Sequence, residues 1–279
     1  MRKVLGITLL LVFLGVVFTV VGFLMSDETN FNLFERPDYT LTELTYEANE
    51  VSEFMMLFSN RAIEILPSES DQIVIKYYEA EDDWIDVTLE DTNLELINRT
   101  KWYFGISWGV WNWGGIDYNN VEVYLPASVL DYVLDITTSN GAITMLDITN
   151  LKELNFASSN GAIKVEDVHV TDYFKVDTSN GKITLDYITS DALVSVHTSN
   201  GEIDIDHLTA SDINAHTSNG GIEVNIYGEY SLYRVELDTS NGSTYIDGEE
   251  KNDSVYNPSL DDVINLDTSN GTIRLNFIN

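Results

Sequence analysis

The chain has 279 residues, 14 Lys and Arg against 46 Asp and Glu, a net charge of −32 and no cysteine. That balance excludes a nucleic-acid groove and electrostatic docking on anionic lipid, because both need clustered cations. Without cysteine there is no disulfide, thiolate metal site or cysteine nucleophile, while 44% hydrophobic residues are enough for a core.

The first element is an uncharged run at residues 4–25, VLGITLLLVFLGVVFTVVGFLM. At 1.5 Å per helical residue it spans roughly 30 Å of hydrocarbon, so residues 1–25 are expected to form one transmembrane helix. A cleaved signal peptide is the competing reading, but Val20-Val21-Gly22 is a poor substitute for an A-x-A site. Arg2 and Lys3 precede the run, and Asp27 and Glu28 follow it. The positive-inside rule then keeps the N-terminus in the cytoplasm and sends residues 26–279 outside a single-pass cell membrane protein. With Arg2 and Lys3 set aside, that part carries −34. Residues 26–40 contain Pro37 and no periodic pattern, and read as a stalk.

Strand-like alternation begins at Leu41. In residues 41–125, Phe54, Met56, Ser59-Asn60, Ile63 and Ile65 fit the offsets of a repeat that is clear further on, whereas Val87, Leu89, Thr92-Asn93 and Leu96 fit it poorly. These are expected to be atypical first coils, as terminal repeats usually are. Residues 101–115, KWYFGISWGVWNWGG, hold Trp102, Trp108, Trp111 and Trp113. Such a cluster suits a plug over the solenoid end, a stacking platform for glycans or partner proteins, or contact with the lipid headgroup region.

From residue 126 the repeat is regular. Ser-Asn-Gly recurs at Asn140-Gly141, Asn160-Gly161, Asn180-Gly181, Asn200-Gly201, Asn219-Gly220, Asn241-Gly242 and Asn270-Gly271, with spacings of 20, 20, 20, 19, 22 and 29. Six and four residues before each Asn stand apolar columns such as Leu134, Phe174 and Ile264, and Ile136, Val176 and Leu266. Three and five residues after it stand Ile143, Ile183 and Ile273, and Met145, Leu185 and Leu275. Period-two alternation on both sides of a turn predicts two half-buried strands per unit. One unit cannot bury its own apolar row, so 41–279 is expected to be an all-β, single-stranded parallel β-solenoid of about 20 residues per coil. Ser-Asn-Gly would be the structural corner, with Gly at positive φ, Asn bonded locally or to the next coil's Asn, and the preceding Thr or Ser column forming a hydroxyl ladder.

The segment Val123-Tyr124-Leu125-Pro126, followed by TTSNGAITM and successive (T/S)SNGxIx units, resembles a bacterial putative-adhesin family of unknown function. The resemblance covers roughly residues 40–279. It implies a membrane-anchored β-solenoid at the cell surface or envelope and transfers no catalytic residue.

The leading functional expectation is therefore a non-enzymatic surface solenoid that binds a cell-wall glycan or envelope protein, or serves as an envelope structural or sensory accessory. The alternative is a carbohydrate-active β-helix enzyme, a polysaccharide lyase or hydrolase, which would need carboxylates converging in one cleft. The acids instead scatter over many columns. His169, His197, His207 and His216 show no HExxH spacing, and Asp247, Glu249, Glu250 and Asp253 no EF-hand spacing, so no metal or cofactor is expected. His197 and His216 fall in one outward column with Asp177, Asp238 and Asp267 and should be neighbours on adjacent coils.

Overall fold

Alternating apolar and polar residues make strands that bury one side, and the chain uses that pattern almost throughout. The computed structural model describes residues 38–101, 118–127, 131–149, 151–252 and 254–278. The expected transmembrane segment 1–25 lies outside the described residues, among which no helix is long and apolar enough to cross a membrane.

The first strands are β1 (Thr40–Glu47), β2 (Glu53–Phe58), β3 (Ala62–Pro67), β4 (Gln72–Glu79), β5 (Asp83–Glu90), β6 (Asn93–Thr100) and β7 (Asn120–Leu125). The middle is wound by β8 (Tyr132–Thr138), β9 (Ile143–Leu146), β10 (Leu151–Ser158), β11 (Ile163–Thr178), β12 (Ile183–Ser190), β13 (Val194–Thr198), β14 (Ile203–Thr209), β15 (Ile213–Thr217) and β16 (Ile222–Tyr227). The last strands are β17 (Arg234–Thr239), β18 (Thr244–Ile246), β19 (Glu249–Lys251), β20 (Val255–Tyr256), β21 (Val263–Thr268) and β22 (Ile273–Ile278).

Two faces result, joined at the Ser-Asn-Gly corner. On the face before the corner, β6, β2, β8, β10, the second half of β11, β13, β15, β21 and β17 pair in parallel in that order. On the face after it the order is β7, β3, β9, the first half of β11, β12, β14, β16, β22 and β18. In-register pairing turns each sequence column into a stripe: Ile143, Ile163, Ile183, Ile203, Ile222 and Ile273 are all at most 1% exposed. The middle coils also have a short third run that the two-strand expectation lacks. Val168 pairs with Ile188 and Ile188 with Leu208, and all three are buried. Between the second and third runs the backbone turns a second corner, with positive φ at Asp147 (57°), Asp167 (53°), Tyr187 (51°) and His207 (50°).

The coils do not stack in the order in which the chain makes them. After β16 the chain passes one coil height, builds the outermost coil from β17 and β18, and returns to insert β21 and β22 against β15 and β16. The 22- and 29-residue spacings are the two crossings. The first end does the same: β2 and β3 pair directly with β8 and β9, while β6 and β7 lie outside them. Antiparallel strands finish both ends, β5 on β6, β4 on β7 and β1 on β4 at one, β20 on β17 and β19 on β18 at the other. Thr92 is accordingly in the β5–β6 hairpin, beside Asp91 at φ 55°, and Thr92-Asn93 form no coil corner. The acidic stretch from Asp247 onward supplies β19, a charged strand of three residues, and β20, of two, short edge strands that discourage further pairing.

Candidate functional site

At the Ser-Asn-Gly corner the Asn side chains form one continuous ladder. Asn140 Nδ2 donates to Asn60 Oδ1 at 2.7 Å, Asn160 to Asn140 at 2.6 Å, Asn180 to Asn160 at 2.7 Å and Asn200 to Asn180 at 2.8 Å. Asn219 then donates to Asn200 at 2.9 Å, Asn270 to Asn219 at 3.0 Å and Asn241 to Asn270 at 2.9 Å. The ladder thus follows spatial order, 219 then 270 then 241.

Two expectations for this corner are corrected. No motif glycine has positive φ; among the described residues the positive-φ glycines are Gly228 and Gly248. Glycine is required instead by the closeness of the coil beneath: a Cβ on Gly161 would meet the Gly141 carbonyl oxygen at 1.7 Å, and one on Gly181 that of Gly161 at 2.0 Å. The Thr and Ser hydroxyls do not bond each other. Thr178 Oγ1 donates to the Gly161 carbonyl at 3.2 Å and accepts from the Gly181 N–H at 3.2 Å. Thr198 repeats this with Gly181 and Gly201. Thr138, Ser158, Thr178 and Thr198 therefore each satisfy two buried backbone groups on adjacent coils, which apolar residues could not do.

Trp102, Trp108, Trp111 and Trp113 lie outside the described residues. Lys101 and Tyr118 flank that segment, which lies between β6 and β7 in the chain. Beside Tyr118, Arg61 takes the glycine position of the Asn60 corner. Its side chain is 1% exposed, its Nη1 donates to the Tyr78 carbonyl at 2.8 Å and its Nη2 lies 3.0 Å from Asp83 Oδ2. Tyr39 donates to the same carboxylate oxygen and stacks on Tyr118 at 4.9 Å. Burial and the Asp83 charge raise the Tyr39 hydroxyl above its ordinary pKa. Sequence reasoning passed over Arg61; the signal was its departure from glycine in the Ser59-Asn60-Arg61 corner.

On the face before the corner, the column of Asp177, His197, His216, Asp267 and Asp238 is contiguous. The rings of His197 and His216 stack at 5.2 Å, and His216 Nδ1 lies 2.8 Å from Asp267 Oδ2. These neighbours were legible from the motif register.

The second corner carries a different set, which the motif gave no reason to single out. Tyr187 and Tyr227 are 48% and 38% exposed and bracket His207. The Tyr187 and His207 rings stack nearly parallel, with centroids 4.2 Å apart and 3° between planes, and Tyr227 tilts against the other side at 5.8 Å. His207 Nδ1 is 3.0 Å from Asp186 Oδ1 and 3.3 Å from Asp206 Oδ2. Asp186 and Asp206 are direct partners in the β12–β14 ladder. Further along the ridge stand Asp147, Glu166 and Asp167. Desolvation, with the charges of Asp147 and Glu166 next, pushes the Asp167 carboxyl up. The positive φ that the second corner demands is met by Asp147, Asp167, Tyr187 and His207 in successive coils, with no fixed residue type, so no motif marks it.

A family model matches residues 52–260, more than half of the chain. The chain belongs to the Toastrack family, DUF4097. The Toastrack match begins just before β2 and ends before β21, leaving the inserted last coil outside it. Among solved structures, this Toastrack chain is similar to a putative adhesin from Bacteroides fragilis, at 15% identity and TM-score 0.45, covering 86% of this chain and 97% of that one. It is also similar to a putative cell adhesion protein from Clostridium sporogenes, at 13% identity, TM-score 0.33 and coverages of 87% and 100%. A third similarity is to a putative lipid binding protein from Parabacteroides distasonis, at 12% identity, TM-score 0.34 and coverages of 87% and 98%. No curated protein matches the sequence.

Proposed function

We propose that this Toastrack chain is a non-enzymatic, adhesin-like protein of the cell surface that binds cell-wall glycan along its second corner. The apolar run at residues 4–25 would tether it, with Arg2 and Lys3 in the cytoplasm and the acidic solenoid outside. One observation supports the binding reading above all: exposed Tyr187 and Tyr227 form a row with His207, flanked by the Asp186 and Asp206 carboxylates. Aromatic faces suit the apolar faces of sugar rings, and carboxylates accept hydrogen bonds from hydroxyls. A row repeating once per coil fits an extended polymer better than a small substrate.

The test is retention of the full chain on purified cell-wall polysaccharide, with turnover followed by release of reducing ends. Wild type should be retained without turnover, and Tyr187→Ala with Tyr227→Ala should reduce retention about tenfold or more while leaving the far-UV spectrum intact. Turnover abolished by one carboxylate substitution would replace this reading with the enzymatic one.

A further inference from the structure

We infer that Asp186 Oδ1, Asp206 Oδ2 and His207 Nδ1 form a binding site for one first-row divalent transition-metal ion of the zinc class. The inference stands apart from the glycan reading, since it needs no saccharide.

Parallel in-register stacking builds the site. Asp186 and Asp206 occupy the same column on adjacent coils, so their carboxylates leave the same face side by side. Like charges placed directly opposite destabilise a ladder unless something lies between them. His207 follows Asp206, and its left-handed backbone turns the ring back across both carboxylates. Tyr187 stacked on one ring face and Tyr227 tilted against the other hold it there.

The donor geometry suits a metal. All three donor atoms lie within 4.8 Å of one another, with Nδ1 at 3.0 and 3.3 Å from the two oxygens. Donors sharing one zinc-class ion at 2.0–2.2 Å sit about 2.8–3.6 Å apart for octahedral to tetrahedral angles. One imidazole with two carboxylates suits this class of ion better than magnesium, which favours oxygen alone. The three side chains are 27–43% exposed, which gives an ion entry and leaves room for water to complete its shell.

The local charge points the same way. Several outward acids of these coils have a lysine: Lys164 pairs with Glu166, Lys175 with Asp177, and Lys182 with Glu202 and Asp204. Among the described residues, Asp186 and Asp206 have no Lys or Arg ion pair, and the histidine is their shared partner. The Asn225 amide donates to Asp206 Oδ1 at 3.0 Å, orienting that carboxylate so that Oδ2 faces the ring. A protonated Nδ1 can donate fully to one carboxylate at a time, whereas a cation in its place would bind all three donors. The HExxH pattern missed this because its donors come from two successive coils, about 20 residues apart.

The test is calorimetric titration of chelator-stripped full-length protein with zinc chloride at pH 7.5 and 150 mM salt, alongside magnesium. One zinc per chain is expected, with magnesium at least tenfold weaker. His207→Asn, which keeps a residue tolerant of left-handed backbone, and Asp206→Asn should each weaken zinc at least about tenfold. The control His197→Asn with His216→Asn should bind as wild type. Stability without zinc, measured by thermal melting, identifies any variant that fails to fold, and Asp206→Asn carries the test if His207→Asn does. Absence of stoichiometric zinc, equal affinity in the cluster variants, or loss confined to the His197/His216 control would each overturn the site.

Discussion

The middle of the solenoid and its two ends solve one problem differently. In the middle, every coil from Asn140 to Asn219 has a coil above and below, so its corner must be small. Gly161 and Gly181 each lie against a neighbouring carbonyl, and Thr178 and Thr198 bridge the coils through buried hydroxyls. At the ends one neighbour is missing. There the chain abandons its order, places an out-of-sequence coil outermost and closes it with antiparallel strands. Arg61 shows what an end allows: in the Asn60 corner the glycine position holds a long side chain that pairs with Asp83, whose carboxylate also accepts from Tyr39. Glycine is therefore demanded by what packs on it, and the demand lapses where the packing does.

Substitutions can break that comparison, taken from the largest expected effect. Gly161→Ala should cost more than about 3 kcal/mol in chemical denaturation, because a backbone carbonyl 1.7 Å from the new Cβ cannot step aside. Gly221→Ala, whose Cβ would meet only the Thr272 carbonyl at 3.4 Å, should stay within about 0.5 kcal/mol of wild type. Equal losses would sink the packing account of the corner. At the first end, Arg61→Met should cost about 3 kcal/mol by leaving the Asp83 carboxylate without its cation.

Smaller effects probe the hydroxyls and the ladder. Thr178→Val keeps the shape but strands the Gly161 carbonyl and Gly181 N–H, an expected loss of about 1–2 kcal/mol. Asn180→Ala removes two ladder bonds, and Asn241→Ala, at the ladder's end, removes one. The first should cost about 1 kcal/mol and the second about half of that. The smallest effect concerns pH. Asp167 has its carboxyl pKa raised in the fold, so the folded state holds that proton more tightly than the unfolded chain. Its ionisation therefore weakens the fold as pH rises through the folded value and no longer does so below the unfolded one. Asp167→Asn should raise Tm slightly at pH 7, and the gain should vanish at pH 3. A gain independent of pH would assign it to the φ of 53° rather than to charge.

Much of the middle was legible because its physics is periodic. Burial requires the apolar columns, stacking puts identical Asn side chains in reach of each other, and register makes His197 and His216 neighbours. The coil order was not legible, since identical motifs are interchangeable partners and a spacing of 22 or 29 residues records only chain length. The reason for glycine was misjudged for a related cause: a turn signature suggests local backbone strain, whereas the constraint came from the next coil. The second corner fixes a backbone angle and not a residue type, so Asp147, Asp167, Tyr187 and His207 share no single letter that a motif could catch. The Asp186–Asp206–His207 cluster follows from the coil spacing once that corner is known.

The central claim is the spatial order of the last coils, with the Asn270 corner between those of Asn219 and Asn241. The chain has no cysteine, so introduced pairs report it cleanly. Stacked positions lie roughly 4.8 Å apart, within disulfide reach, and positions two coils apart lie near twice that, beyond it. The account predicts that Asn219→Cys with Asn270→Cys, and Asn241→Cys with Asn270→Cys, oxidise to intramolecular disulfides, while Asn219→Cys with Asn241→Cys does not. A disulfide formed readily by the 219 and 241 pair, and refused by the 219 and 270 pair, would contradict it.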